Sequence, residues 1–257
     1  MRVALLLSLC LLSSITVSAQ RIQVMAWSER SEPVEVYPRG INGAIEELLK
    51  SDRRARVTVA NLLDPEQGLS EAALLKTDVL VWFGHHSHNA VSDENVRRIV
   101  RHVKERGMGF LPLHSAHYSR PFQELMRIKA EQAGVRLEGT VGGWGRVRNQ
   151  GKPETVRVLD TRHPITKGVA DFVIPVTEMY ANPFTVPPPD AKILEGSWEG
   201  GEQHGSDGMI WYVGRGKVFY LRPGHETRPI YRQAEMQQII RNAVRWLAKP
   251  HRGGTSD

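Results

Sequence analysis

Along the chain, short apolar runs alternate with stretches of helical period, the pattern of an α/β protein. Ile22, Val24 and Ala26 mark one face of a first strand over 21–27. After a polar loop with Pro33 and Pro38, Ile41, Ala44, Ile45, Leu48 and Leu49 recur at helical spacing and predict a helix over 40–50. Residues 56–60 read as a second strand. Ser70 reads as the cap of a short helix ending at Lys76, its hydroxyl accepting a free N–H of the first turn. The third strand, 78–83, is uniformly apolar from Val79 to Phe83, as a strand covered on both faces must be. Ser92, with Asp93 and Glu94 at its positive end, opens a helix whose stripe is Val96, Ile99, Val100 and Val103, and Gly107 supplies a left-handed stop. A fourth strand covers 109–113.

The stretch 137–189 is rich in Gly and Pro and yields only one strand, over 155–159. The glycines at 139–145 do not fit a dinucleotide fingerprint after a strand, so they read as a loop and imply no nucleotide cofactor. Residues 209–213 and 217–221 alternate around Gly214-Arg215-Gly216 as a hairpin. A closing helix over 230–247 carries Met236, Ile239, Ile240, Ala243, Val244 and Leu247 on one face. Strands alternating with helices imply right-handed crossovers and a three-layer α/β sandwich with a mostly parallel central sheet.

The first nineteen residues read differently. Arg2 precedes an apolar run over 3–12, and Val17-Ser18-Ala19 places small residues where a signal peptidase cuts. The expected domains are a signal peptide over 1–19, one folded domain over 20–249 and a frayed tail over 250–257. Cleavage would leave a secreted or periplasmic protein with no stable membrane insertion. It would also remove Cys10, the only cysteine, and with it any thiol nucleophile. The 257 residues are 40% hydrophobic and 24% charged, an ordinary globular composition. The net charge of +6 is no nucleic-acid signature, because 28 acidic residues are mixed with 34 Lys and Arg. A homo-oligomer is compatible with this composition.

Placement of the ten histidines carries the chemistry. His85, His86 and His88 follow the third strand, His114 and His117 the fourth, and His225 the last strand of the hairpin. Ligands of open parallel sheets bind beyond the carboxyl ends of the strands, so three strand ends deliver imidazoles to one side. Neutral imidazole binds Zn, Mn and similar divalent metals, and it also titrates near neutrality as an acid or base. Among the others, His102 reads as solvated, His163 as a turn residue, His204 as a solvated loop residue and His251 as part of the tail. The segment Leu113-His114-Ser115-Ala116-His117 has the strand-to-turn character of a nucleophile elbow. Ser115 could be a nucleophile there, but the flanking glycines of such an elbow are absent.

At these motifs the chain resembles the ThuA-like family, named for trehalose utilisation and built on the class I glutamine amidotransferase-like, flavodoxin-like fold. The resemblance rests on Tyr37-Pro38-Arg39-Gly40-Ile41-Asn42-Gly43-Ala44-Ile45, Trp82-Phe83-Gly84-His85-His86-Ser87-His88, Leu113-His114-Ser115-Ala116-His117-Tyr118-Ser119, Glu178-Met179-Tyr180 and the run from Phe219 to Thr227. Ala116 replaces a family glycine and Asn89 a common Asp. The family's fold implies a core that includes Ile41, Ile45, Leu48, Val79, Val81, Val96, Val100 and Leu111. The resemblance implies a late histidine, His225, at an amidotransferase-like site, but no glutamine chemistry, since the elbow carries His114-Ser115 instead of cysteine.

What the family name implies is trehalose or other glycoside catabolism, near pathways that pass through 3-keto sugars. A 3-keto group acidifies the C2 proton, so a base and a metal could together expel the C1 group. On this expectation His85, His88, His117 and His225 hold a divalent metal. Glu178, His114 and Tyr180 are catalytic, with Glu178 or a strand-end histidine as base. Arg222, Tyr180, Ser115 and Glu226 contact a small carbohydrate. The alternatives are a non-catalytic carbohydrate-binding accessory protein and a serine hydrolase using Ser115.

Overall fold

The computed structural model describes residues 21–249. The expected leader, its cleavage point and the tail from Pro250, with His251, lie outside the described residues. In chain order the elements are β1 (Ile22–Ser28), α1 (Gly40–Leu49), β2 (Ala55–Asn61), α2 (Glu71–Leu74), β3 (Val79–Phe83), α3 (Asp93–Arg101), β4 (Gly109–Pro112), α4 (Arg120–Gln132), β5 (Trp144–Val158), β6 (Phe172–Phe184), β7 (Ala191–Trp198), β8 (Gln203–Val213), β9 (Gly216–Leu221) and α5 (Ala234–Leu247).

All nine strands join one sheet in the order β2-β1-β3-β4-β9-β8-β7-β5-β6. From β2 to β9 the pairs are parallel. This half has the 2-1-3-4 start of a flavodoxin-like sheet, with β9 in the fifth place. From β9 to β6 every pair is antiparallel. The expectation of a mostly parallel sheet is therefore corrected to a mixed one, whose longer strands are antiparallel. The Gly- and Pro-rich stretch, in which only 155–159 read as a strand, forms β5 and β6, whose ladder shifts register between Trp144 and Arg146, Arg148 and Lys152, and Lys152 and Glu154. Each shift breaks the period-2 alternation that would have announced a strand.

Strand residues alternate between two cores, which gives the three layers. Val24, Ala26, Val79, Val81, Leu111 and Phe219 pack with α1 and α5 on one face. Met25, Trp27, Leu80, Trp82, Phe110 and Trp211 pack with α3 and α4 on the other. All eight expected core residues are in these layers, with Val100 only half-buried. Ser70 and Ser92 cap as expected, accepting the N–H of Ala73 and of Asn95. Helix α4 has no counterpart among the predicted elements.

His102 is not solvated, contrary to its reading from sequence. After Arg101 the helix continues as a π-helical turn over His102–Arg106, ended by Gly107 at φ 81°. The wider turn shifts the phase of the buried stripe, so His102 and Val103 both point inward. The His102 ring meets Glu71 at 3.0 Å.

Asp52 fastens α1 to α5. Its Oδ2 accepts Arg245 at 2.7 Å, and Oδ1 accepts the Arg54 backbone N–H at 3.1 Å. Burial pushes this carboxyl up, but the Arg54 and Arg245 donors outweigh it and hold it below its usual value. A carboxyl with a depressed folded pKa contributes stability above its unfolded pKa, near 4, and loses it as pH falls further. Asp52→Asn should cost about 1–3 kcal/mol at pH 7. The gap to wild type should narrow below about pH 4. Urea unfolding at pH 7 and pH 3 checks both; an equal gap at the two values would refute the assignment.

Candidate functional site

The site forms where β1, β3, β4 and β9 end. Beyond β1, Glu29 accepts the backbone N–H of His86 at 2.6 Å and of Ser87 at 2.8 Å. It thereby pins the loop that carries His85. Burial raises the Glu29 carboxyl, yet the loop N–H groups hold it net low. Beyond β4, His114 takes φ 48°, a left-handed conformation that non-glycine residues rarely adopt. His114, not Ser115, is thus the residue on the elbow. Ser115 is buried and its hydroxyl donates to the Gly84 carbonyl at 2.9 Å, which ties the β3 and β4 loops together.

The last members come from β6. Its ribbon folds back so that Tyr180 and Glu178 reach the elbow. Gly205 of β8 permits this approach, since a Cβ there would collide with the Tyr180 carbonyl. Tyr180 stacks on His114 with centroids 4.7 Å apart, and its hydroxyl lies 3.4 Å from His114 Nε2.

Proton accounting at His114 is informative. Its Nδ1 lies 3.0 Å from the Arg222 carbonyl, which can only accept, so Nδ1 carries a proton. Its Nε2 lies 3.1 Å from Glu178 Oε2. Burial raises the Glu178 carboxyl, but His114, His225 and Tyr180 outweigh that and hold it at about 2. Glu178 is then an ionised acceptor as well. Both ring nitrogens thus face oxygen acceptors, and Nε2 and Glu178 are placed to share a cation.

His225 Nε2 lies 3.5 Å from the same Glu178 oxygen. His225 Nδ1 lies 3.1 Å from the Thr227 backbone nitrogen and 3.4 Å from Glu226 Oε2. Its Nε2 also faces the Asn149 amide nitrogen at 3.3 Å, a donor because Asn149 Oδ1 accepts from Arg228. A ring proton on Nδ1, directed at Glu226, leaves Nε2 free as a ligand, with the carboxylate behind the imidazole as in many metal sites. Burial lowers the His225 ring to about 4, which favours the neutral form a metal needs. Glu226 also binds His85 Nδ1 at 2.5 Å. That bond raises the His85 ring above its usual value, against the effect of burial. His86 stacks on His85 at 4.4 Å.

Two sets of donors approach closely enough to share a cation: His114, Glu178 and His225, and His85, His225 and Glu226. The first is wholly buried and is a His₂Glu set, a known catalytic zinc combination. Of the residues expected to hold metal, His85 and His225 are here, joined by His114, Glu178, Tyr180 and Glu226. His88 and His117 are not in either set. His117 bonds Gly142 at 2.6 Å and packs on Tyr118, as does His88. Arg222 does not offer itself to a sugar: its side chain has no exposure and is consumed by Glu154 and Asp207. His163 is a turn residue, accepting the Ile165 N–H, while His204 lies exposed on β8 rather than in a loop. Glu29, Asn149 and Thr227 escaped the reading from sequence. Glu29 was findable, because it too follows a strand end. Asn149, 3.3 Å from His225, reaches the site only through the bulged β5.

Among solved structures, a ThuA-like protein of Parabacteroides merdae superposes with a TM-score of 0.66 at 16% identity, covering 89% of this chain and 90% of that one. A ThuA-like protein of Bacteroides uniformis gives 0.63 at 18%, covering 89% and 92%. The cytoplasmic protein STM3548 of Salmonella typhimurium gives 0.59 at 13%, covering 89% and 100%. These likenesses speak for the fold. No curated protein matches the sequence. The model of the ThuA family, described as trehalose utilisation, matches residues 23–247, and the chain belongs to that family.

Proposed function

We propose that this protein is an exported, carbohydrate-active ThuA protein that processes a glycoside or 3-keto-glycoside with a divalent metal at His114, Glu178 and His225. The observation that carries the metal is the buried convergence of His114, Glu178 and His225, whose ligand atoms all lie within 4.8 Å of one another. The substrate class follows the family's link to trehalose utilisation. Bound there, a divalent cation would stabilise negative charge developing on a sugar oxygen.

The chain's own groups then divide the work. Glu178 is too acidic to be an effective base near neutrality, so it serves as a ligand. His85 is the better base: Glu226 holds its Nδ1, leaving Nε2, and a quarter of its side chain is exposed. Tyr180 orients His114 by stacking. Ser115 is committed to the Gly84 carbonyl, which gives no support to a serine hydrolase.

Metal-replete purification followed by elemental analysis should find one divalent ion per chain. The same sample should release the aglycone from a 3-keto-glycoside and lose that activity to a chelator. Metal-free protein after replete purification would overturn the metal. Bound metal without turnover on glycosides and 3-keto-glycosides would overturn the reaction and leave a binding protein.

A further inference from the structure

Arg222 joins the two halves of the site from beneath. Its carbonyl accepts His114 Nδ1–H at 3.0 Å, and its Nη1 donates to the Glu178 carbonyl at 3.1 Å. On its other side Nε donates to Asp207 Oδ1 at 2.5 Å and Nη2 donates to Glu154. The Trp198 ring lies 4.6 Å from the guanidinium. Arg222, Glu154 and Asp207 are each 0% exposed.

Two carboxylates and one guanidinium would leave a net negative charge on fully buried side chains, which is very costly. The two acids also face each other: a Cβ on Gly196 would strike both carboxylates. Glu154 Oε2 and Asp207 Oδ2 are buried and have no hydrogen-bond partner among the described residues. One proton placed between the acids, which lie within hydrogen-bond reach of each other, removes the excess charge. Burial raises both carboxyls, and Glu154 stands well above its usual range.

We propose that Glu154 retains a proton donated to Asp207, and that the resulting neutral triad makes Arg222 a positioning residue that fixes the His114 tautomer and the Glu178 backbone. The positioning half rests on the reading of His114 and Glu178 as the functional centre; the proton does not.

Infrared difference spectra of wild type against Glu154→Gln at pH 7 test the proton directly. Wild type should show the C=O stretch of a buried carboxylic acid, and the variant should lack it. Absence of that band in wild type overturns the proposal. Gln mimics the protonated acid, accepting from Arg222 and donating to Asp207, so Glu154→Gln should melt within about 3 °C of wild type. Asp207→Asn breaks the ion pair and should melt about 10 °C lower. The reverse order would place the proton on Asp207.

Positioning is read from the His114 Nδ1–H resonance, which a merely structural triad would not move. It should persist in Glu154→Gln and exchange at least 10-fold faster in folded Glu154→Ala. Equal exchange in all three proteins overturns the positioning role. Zinc titration separates the two readings: a wild type that binds no zinc sinks the metal centre, while the infrared and resonance outcomes still decide the triad.

Discussion

Glu178→Gln is expected to abolish metal binding and turnover while leaving a folded protein. The carboxylate is the one anion that His114 and His225 share, at 3.1 and 3.5 Å. Gln keeps the volume and one acceptor oxygen but removes the charge that balances a cation. It also directs an amide toward imidazole nitrogens. Zinc affinity should fall at least about 100-fold, the upper end of what removing even an outer-shell partner costs. Turnover should fall at least as far. The variant should fold, because Arg222 grips the Glu178 backbone carbonyl and not its side chain. His88→Ala and His117→Ala serve as the contrast. If the cation belongs to the His114 set, these should bind zinc within a few-fold of wild type. Retained affinity in Glu178→Gln with loss in His88→Ala and His117→Ala would return the metal to the set first expected from the spacing of the motifs. Isothermal titration with zinc on the three purified variants decides the matter.

That contrast shows what the sequence could express. The carboxyl-end rule located His85, His114 and His225 together, because the parallel half of the sheet was readable from its apolar strands. It could not say which ring nitrogen each histidine presents, since that depends on distant acceptors. His114 takes its tautomer from the Arg222 carbonyl and His117 from the Gly142 carbonyl, contacts that span 108 and 25 residues. His88 and His117 share the i,i+3 spacing of their loops with His85 and His114, but the loops turn them onto Tyr118 instead. Arg222 looked like a ligand arm for a similar reason. Its motif marks an important position without showing that Glu154 and Asp207, on bulged or unpredicted strands, bury it. In the antiparallel half only the β8–β9 hairpin and the end of β5 were legible, because bulges in β5 erase its alternation. The π-helical turn after Arg101 likewise moved His102 to the buried side, where its Arg and Lys neighbours had put it in solvent.

Val81→Asp should yield no folded protein. Val81 lies mid-strand in β3, paired with Ala26 of β1 and Leu111 of β4, and is 1% exposed. Its side chain enters the layer shared with α1 and α5, a cluster of apolar side chains. An aspartate there must either ionise without a partner or protonate. Full burial can raise a carboxyl by about 3–5 units. At about 1.4 kcal/mol per unit, keeping it neutral at pH 7 costs several kcal/mol. The lost packing of the two methyls adds about 1–2 kcal/mol more. Together these approach the whole stability of a domain, about 5–15 kcal/mol. Val147→Asp provides the control, because Val147 on β5 is 48% exposed and its carboxylate would stay in water. Thermal unfolding followed by circular dichroism should show a cooperative transition for Val147→Asp close to wild type and none for Val81→Asp. A soluble, cooperatively unfolding Val81→Asp would mean that β3 is not the covered strand at the middle of the parallel half. The loop that presents His85 would then lose the support on which the site depends.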